Sequence, residues 1–257
     1  MKVVLVGAGN VATRLSGALL SAGHSILAVY SRTELSARTL AENLNVPFVT
    51  LPERLPADAD IYIAALCDDA LVTLAKNIVK GREKALFIHT AGSVSIDIWK
   101  SAGATRFGVL YPLQTFSKNN PVDWQSVPIF IEGSSVNVKN RIENLALGFS
   151  NNVRELDSTG RGLLHVAAVF ASNFTNYMYS VSQSILSQAG VPFSVLGPLI
   201  EETARKITVL DPLEAQTGPA ARGDKRVLER HMELLSPYPD WAGIYSILSN
   251  NILNSKK

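Results

Sequence analysis

The sequence predicts an open, mostly parallel α/β sheet over residues 1–157, followed by an all-helical domain over residues 158–257. Three observations carry this. Short β-rich runs alternate with helical patterns from Met1 to Asp157, the order that crossover connections produce. The first run passes directly into Gly7-Ala8-Gly9-Asn10-Val11-Ala12, a G-x-G-x-x-A turn between a strand and a helix. After Asp157 the texture becomes continuously helical.

Strands are expected where β-branched and aromatic residues cluster: Val3 to Val6, Ile26 to Tyr30, Phe48 to Thr50, Ile61 to Leu66, Ala85 to His89, Arg106 to Leu110, Pro128 to Glu132 and Val153 to Leu156. Between them, apolar residues at helical spacing predict helices over Val11 to Ser21, Glu34 to Asn45, Ala70 to Val79, Ile96 to Ser101 and Asn137 to Phe149. Tyr111 to Val127, with two prolines and Asn119-Asn120, reads as an ordered loop. In the second domain one helix is expected from Ser158 to Ala189, stopped by Gly190 and Pro192. Its apolar stretch from Leu163 is broken by Ser172, Asn173, Thr175, Asn176 and Gln183, which predicts a central buried helix and not a membrane span. Further helices are expected over Phe193 to Leu210, Asp224 to Leu235 with Asp224 as the cap, and Trp241 to Leu253, with a turn at Thr217 to Gly223.

Composition excludes several function classes. Lys plus Arg number 24 against 22 Asp plus Glu, a formal charge of +2, and the basic residues form no stripe, so neither nucleic acid nor an acidic membrane surface is an expected partner. The four histidines and the scattered carboxylates have no metal-ligand spacing. The single cysteine, Cys67, excludes an intrachain disulfide and fits a reducing compartment. The N-terminus enters strand pattern at once, without the segments of a secretory signal, so a cytoplasmic location is expected.

The glycine turn points to a dinucleotide. Gly7 permits the tight turn, Gly9 lets a pyrophosphate approach the backbone, and Ala12 lets the helix lie close to the strand. The pyrophosphate belongs on the helix start at Asn10 and Val11, where unpaired N–H groups and the helix dipole favour negative charge. About 20 residues beyond, sites selective for NAD carry a carboxylate for the ribose 2'-hydroxyl. Here stand Ser31, Arg32 and Thr33, two hydroxyls and a guanidinium suited to a 2'-phosphate, which predicts NADP. A charge-assisted bond from Arg32 is worth about 1.5–3 kcal/mol, enough to set the preference between cofactors.

Strand ends on the carboxyl side of such a sheet face the ligand crevice. Ala65, Leu66 and Cys67 should therefore border the cofactor, with Asp68 capping the next helix and Cys67 serving as a small packed residue. At the fifth strand end Thr90 is a nicotinamide neighbour, and His89 is either structural or part of the site. Gln114, beyond the sixth strand, either orients a substrate or ties its own loop. On the long helix His165, Ser172 and Asn173 are the densest polar set within an apolar face, and seven or eight residues at about 3.6 per turn bring them toward one cavity. Hydride transfer needs a proton donor or a polarising hydrogen bond, which a histidine can supply; a buried histidine and asparagine can equally tie helices together. Arg222 offers a guanidinium for a carboxylate or phosphate, or pairs locally with Asp224.

These residues carry a resemblance. Gly7 to Ala12, His89-Thr90-Ala91-Gly92-Ser93, Tyr111-Pro112-Leu113-Gln114-Thr115-Phe116, His165 with Ser172-Asn173, and Gly218-Pro219-Ala220-Ala221-Arg222-Gly223-Asp224 resemble, over nearly the whole chain, a family with two parts. These are a Rossmann-like domain similar to that of deazaflavin-dependent NADP oxidoreductases and a helical domain of unknown function. The layout is also similar to pyrroline-5-carboxylate reductase, ketopantoate reductase and the 6-phosphogluconate dehydrogenase-like superfamily. The resemblance implies that the helical domain supplies catalytic groups and a dimer interface. Several of those enzymes carry a catalytic lysine with an asparagine on the first long helix, where this chain has His165 and Asn173 and no lysine; ahead of Pro-Leu-Gln, where histidine is common, it has Tyr111.

The expected function is an NADP-dependent oxidoreductase moving a hydride between cofactor and a small carbonyl or imine compound in an interdomain cleft, as a homodimer. His165 would donate or relay the proton, Ser172 and Asn173 would hold the substrate or the nicotinamide amide, and Gln114 and Arg222 would contact substrate. Two alternatives stand beside it: a non-catalytic NADP-binding sensor or interaction protein, and a cleft shared with a deazaflavin.

Overall fold

Val3, Val4, Leu5 and Val6 lack polar faces, and the strand they form, β1 (Lys2–Val6), is accordingly buried on both sides in the middle of a sheet. The computed structural model describes residues 1–255. Strands β2 (Ser25–Tyr30), β3 (Phe48–Val49), β4 (Ile61–Ala64), β5 (Leu86–His89), β6 (Arg106–Pro112), β7 (Ile129–Gly133) and β8 (Val153–Glu155) join β1 in one eight-stranded sheet, ordered β3-β2-β1-β4-β5-β6-β7-β8. All pairings are parallel except β6 with β7. The order reverses beside β1, between the crossovers to β2 and to β4, which is where a doubly wound sheet opens its crevice.

Helices cover both faces, as apolar residues at i, i+4 and i+7 or i+8 require. On one face α1 (Asn10–Ser21) brings Leu15 and Leu19, and α5 (Val136–Leu147) brings Val138, Ile142 and Leu145, against Val3, Leu5 and Ile63. On the other, α3 (Asp68–Val79) packs Leu71, Ala75 and Ile78, and α4 (Asp97–Ser101) packs Trp99, against Val4, Val6 and Phe87. The remaining helix of this region is α2 (Glu34–Leu44), whose Leu40 and Ala41 meet Ala8, Ala12 and Val29.

The chain divides into two compact units, Met1–Asn173 and Phe174 onward. Helix α6 (Ser158–Ala168) starts where the strand pattern ends and is followed by a π-helical turn, Val169–Phe174, and then by α7 (Thr175–Gln188). The second unit continues with α8 (Gly197–Lys206), α9 (Pro212–Ala215), α10 (Pro219–Arg222), α11 (Lys225–Leu235) and α12 (Pro239–Ser255). Among the described residues no helix is long and apolar enough to cross a membrane.

Several expectations are corrected. The helix over 158–189 is not one α-helix, because the π turn widens it at Ser172 and Asn173 and breaks the 3.6-residue reckoning from His165. Nor is it buried: α7 contains no buried residue, and Leu163, Val166, Tyr177 and Ile185 are exposed, because an apolar pattern does not by itself fix what an element packs against. Phe193 to Leu210 is a 3₁₀ turn, Phe193–Leu196, and then α8, whose early Pro198 supplies no N–H to a longer helix. The turn at 217–223 contains α10. Tyr111 and Pro112 extend β6 by pairing with Phe130 and Ile129, and Trp124–Ser126 is a 3₁₀ turn within the expected loop. Asp68 is the first residue of α3 and does not cap it; its carboxylate accepts a hydrogen bond from the Ser93 hydroxyl. Asp224 does cap α11, accepting from Val227 N at 3.5 Å.

A buried cation fastens α6 to the sheet. The Arg161 side chain is 1 % exposed and pairs through Nη1 with Glu132 Oε2 of β7 at 2.6 Å. Its Nη2 donates to Val94 O at 2.6 Å and Ser158 Oγ at 3.2 Å, while Ser158 donates to Glu132 at 2.8 Å. Removing one member of such a pair leaves the other charge buried and costs about 3–5 kcal/mol. In urea unfolding, Glu132→Ala should lose stability of that order, and Glu132→Ala with Arg161→Met should recover part of it. A loss below about 1 kcal/mol for the single variant would show that the clamp is not structural.

Candidate active site

The glycine turn is built by close packing. Gly7 has φ +122°, a region L side chains rarely adopt, and a Cβ there would collide with the Ala65 carbonyl. Its N–H donates to Tyr30 O at 2.8 Å, so the ends of β1, β2 and β4 meet at this residue. Around Gly9 a Cβ would meet nothing within 4 Å, which leaves room for a ligand to reach the backbone. Helix α1 starts at the next residue with no side-chain cap and no acid in its first turn, and its N–H groups are open to an anion.

A cavity of about 680 Å³ lies over this turn. It is lined by Gly7, Gly9, Ser31, Arg32, Thr33, Ala65, Leu66 and Cys67 from the sequence-derived set, so eight positions from three strand ends converge. Asn10, Val11 and Thr90 are not among its lining residues. The Asn10 amide donates to Phe116 O at 2.9 Å, Val11 is half-buried, and the Thr90 N–H donates to Ala64 O at 3.1 Å. Cys67 is exposed, not packed, because the chain turns outward after β4 and directs it to the cavity.

Two charged lining residues escaped the sequence reading, Lys118 and Asp69. Lys118 comes from the loop after β6, which is held on α1 by Asn10 and by Arg14, whose guanidinium donates to Ser117 O at 2.8 Å and Lys118 O at 2.6 Å. Arg14 was the available signal, a polar side chain on the first turns of a helix whose opposite face is buried. The cavity thus holds two exposed cations, Arg32 and Lys118, at separate points of its wall. The residues present suit a phosphorylated dinucleotide: an open helix start, a glycine with no Cβ in the way, and two cations.

A second cluster lies at the ends of β5 and β6. His165, half-buried on α6, has Nδ1 at 3.0 Å from Tyr111 Oη, with the rings edge to face and their centroids 6.0 Å apart. Gly92 lies against the imidazole, where a Cβ would come to 2.6 Å from Nδ1. Backbone and phenol therefore both meet the imidazole around Nδ1. Burial pushes the Tyr111 hydroxyl pKa up, against the opposing effect of the Arg161 cation. His89 is fully buried, accepts from Ala91 N at 3.2 Å through Nδ1, and is lowered to about 3 by burial and then by Arg161. Its burial holds it neutral inside the sheet.

The other candidates are dispersed. Gln114 is exposed, and its Oε1 accepts from Thr115 N at 2.8 Å, a bond within its own loop. Ser172 is half-buried and Asn173 exposed, both in the π turn. Arg222 is exposed in the second unit, at the last position of α10.

Comparison with known proteins gives the family. The model for NADP oxidoreductase, coenzyme F420-dependent, matches residues 2–92, and that for a domain of unknown function (DUF2520) matches residues 127–252. A solved "putative NADP oxidoreductase" from Bacteroides fragilis is 44% identical, covers 98% of each chain and has a TM-score of 0.94. An imine reductase from Myxococcus stipitatus, solved with NADP+, has a TM-score of 0.70 at 14% identity, over 99% of this chain and 94% of that one. A 1-pyrroline-5-carboxylate reductase from Streptococcus pyogenes reaches 0.64 at 13% identity, over 99% and 98%. These last two share the fold. A search of curated proteins found no match. The chain belongs to the NADP oxidoreductase family, whose cofactor is NADP, in a form that joins the nucleotide-binding domain to a DUF2520 domain.

Proposed function

We propose that this protein is an NADP-dependent oxidoreductase of small carbonyl or imine compounds, with residues 1–157 binding the cofactor and 158–257 completing the substrate site and a dimer interface. The observation that carries the reading is the placement of His165 on Gly92, at the end of β5, while the glycine-turn cavity opens at the ends of β1, β2 and β4. A dinucleotide crossing the crevice of such a sheet runs from the β2 side toward the β5 side. NADP, when bound, supplies the hydride. Gly7, Gly9 and the start of α1 at Asn10 and Val11 hold its pyrophosphate, Ser31, Arg32 and Thr33 its 2'-phosphate, and Lys118 adds a second cation to the wall. Ala65, Leu66 and Cys67 border the cofactor, and Thr90 is a neighbour of the nicotinamide.

In this reading His165 donates or relays the proton that accompanies the hydride. Ser172, Asn173, Gln114 and Arg222 are the polar groups assigned to substrate. The fold shared with an imine reductase and a pyrroline-carboxylate reductase supports a C=N or C=O acceptor. A deazaflavin as hydride partner is a second reading, favoured by the F420-dependent family model over residues 2–92. It is separated by offering the NADPH-loaded protein a deazaflavin alongside the carbonyl and imine panel.

A homodimer accounts for the second unit. Helices α7, α8, α11 and α12 contain no buried residue, and Leu199, Leu234, Ile247 and Leu248 are exposed. Among the described residues of this unit, Ala220 is the buried hydrophobic one. A helical unit with so little core gains its stability from a partner surface, and a second copy supplies one by twofold symmetry. Sedimentation equilibrium should give twice the 27.8 kDa chain mass. A monomer at micromolar concentration would refute the dimer.

Titration with NADPH and NADH tests the cofactor site. Arg32→Asp should weaken NADPH by about tenfold or more, the loss expected for a charge-assisted bond of about 1.5–3 kcal/mol, and leave NADH almost unchanged. Equal weakening of both would remove the 2'-phosphate assignment. On a carbonyl and imine panel, His165→Ala should bind NADPH as the parent does and lose about 10²-fold or more in kcat. Parent protein that binds NADPH and turns over no compound in the panel would favour a sensor.

A further inference from the structure

We propose that Tyr111 is a positioning residue that acts through His165, donating its hydroxyl hydrogen to Nδ1 so that the imidazole presents Nε2–H to the substrate. The inference rests on the reading of His165 as the group that passes the proton.

A phenol 3.0 Å from an imidazole nitrogen allows two arrangements. Either Tyr111 donates to a bare Nδ1, with the ring proton on Nε2, or Nδ1–H donates to the phenol oxygen. Three observations favour the first. Tyr111 is buried, and burial keeps its hydroxyl protonated, so it retains a hydrogen to give. Against the larger effect of burial, the Arg161 cation acts on Tyr111 in the sense that lowers its pKa, which favours the phenol as a hydrogen-bond donor. Arg161 is itself fixed by Glu132, Val94 and Ser158 one turn before His165 on the same helix. Gly92 lies against the same Nδ1–Cγ part of the ring, where a Cβ would come to 2.6 Å from Nδ1 and 2.7 Å from Cγ, so the backbone there and the Tyr111 hydroxyl together leave the ring little freedom to turn.

The step then balances with His165 neutral before and after. As hydride reaches the substrate carbon, the Nε2 proton forms the new O–H or N–H bond and the Tyr111 hydroxyl proton moves to Nδ1; the charge left on the phenol, which burial disfavours and Arg161 offsets in part, is removed when solvent reprotonates it. Two protons move in one reduction. A histidine acting alone would have to enter the step as the imidazolium and would move one.

Two measurements decide the matter. The first needs no turnover: in 15N-histidine-labelled protein, neutral His165 should show its proton on Nε2 and a hydrogen-bonded, acceptor-type Nδ1, and Tyr111→Phe should move Nδ1 to the position of an unbonded acceptor. A proton on Nδ1, or an Nδ1 resonance unmoved by Tyr111→Phe, would overturn the proposal even if the protein is an active reductase. The second uses the best substrate of the panel and deuterated NADPH to isolate the hydride step. Tyr111→Phe should lower kcat by at least about tenfold with KM for NADPH within about twofold, and the curved proton inventory of the parent should become linear. A linear inventory in the parent, or an unchanged kcat in the variant, would contradict the relay.

Discussion

The contact on which the site depends is the backbone approach of Gly7 to Ala65. Because residue 7 has neither a Cβ nor the usual sign of φ, the end of β1 lies directly against the end of β4, and its N–H reaches Tyr30 of β2. Any side chain here would part these strand ends and lift the start of α1 away from them. The same closeness is what gathers Ser31-Arg32-Thr33 and Ala65-Leu66-Cys67 around one cavity. The buried faces of β1 fix this geometry from below, since Val3 and Leu5 are packed under α1 while Val4 and Val6 are packed over α3.

A second clamp positions the proposed chemistry. Arg161, Glu132 and Ser158 tie the first turn of α6 to β7 and to the segment after β5, and so settle where His165, one turn later, meets Tyr111 and Gly92. A buried ion pair contributes little net stability when compared with well-packed hydrophobic residues, and its retention is better understood as a means of fixing orientation. Here the cost of burying a guanidinium places one imidazole and one phenol. Burial, with the same cation adding to it, keeps His89 neutral in the sheet, whereas His165 is half-open.

Much of the architecture was legible in the chain because it rests on local pattern. The strands follow from runs such as Val3 to Val6 and Ile61 to Ala64, and the helices from periodicities such as Leu71, Ala75 and Ile78. The glycine turn announced itself by its neighbours, a strand before and an amphipathic helix after. What escaped depends on contacts distant in sequence. Lys118 reaches the cavity because Arg14 captures the carbonyls of a loop about a hundred residues away, and Tyr111 meets His165 across 54 residues of separation. Asp68 had the spacing of a cap, yet Ser93 claims its carboxylate. The π turn at Ser172 and Asn173 was invisible because its composition is that of any helix, and the buried helix expected over 163–189 failed because apolar content does not tell whether an element is covered.

The central claim is spatial: one dinucleotide, held at the glycine turn, brings its reactive carbon to the imidazole on Gly92. A crystal structure of the protein grown with NADP+ tests this directly. It should show the 2'-phosphate paired with Arg32, the pyrophosphate on the N–H groups at the start of α1, and the nicotinamide C4 in contact distance of the space faced by His165 Nε2. A nicotinamide directed away from the β5 end, with His165 still bonded to Tyr111, would contradict the account.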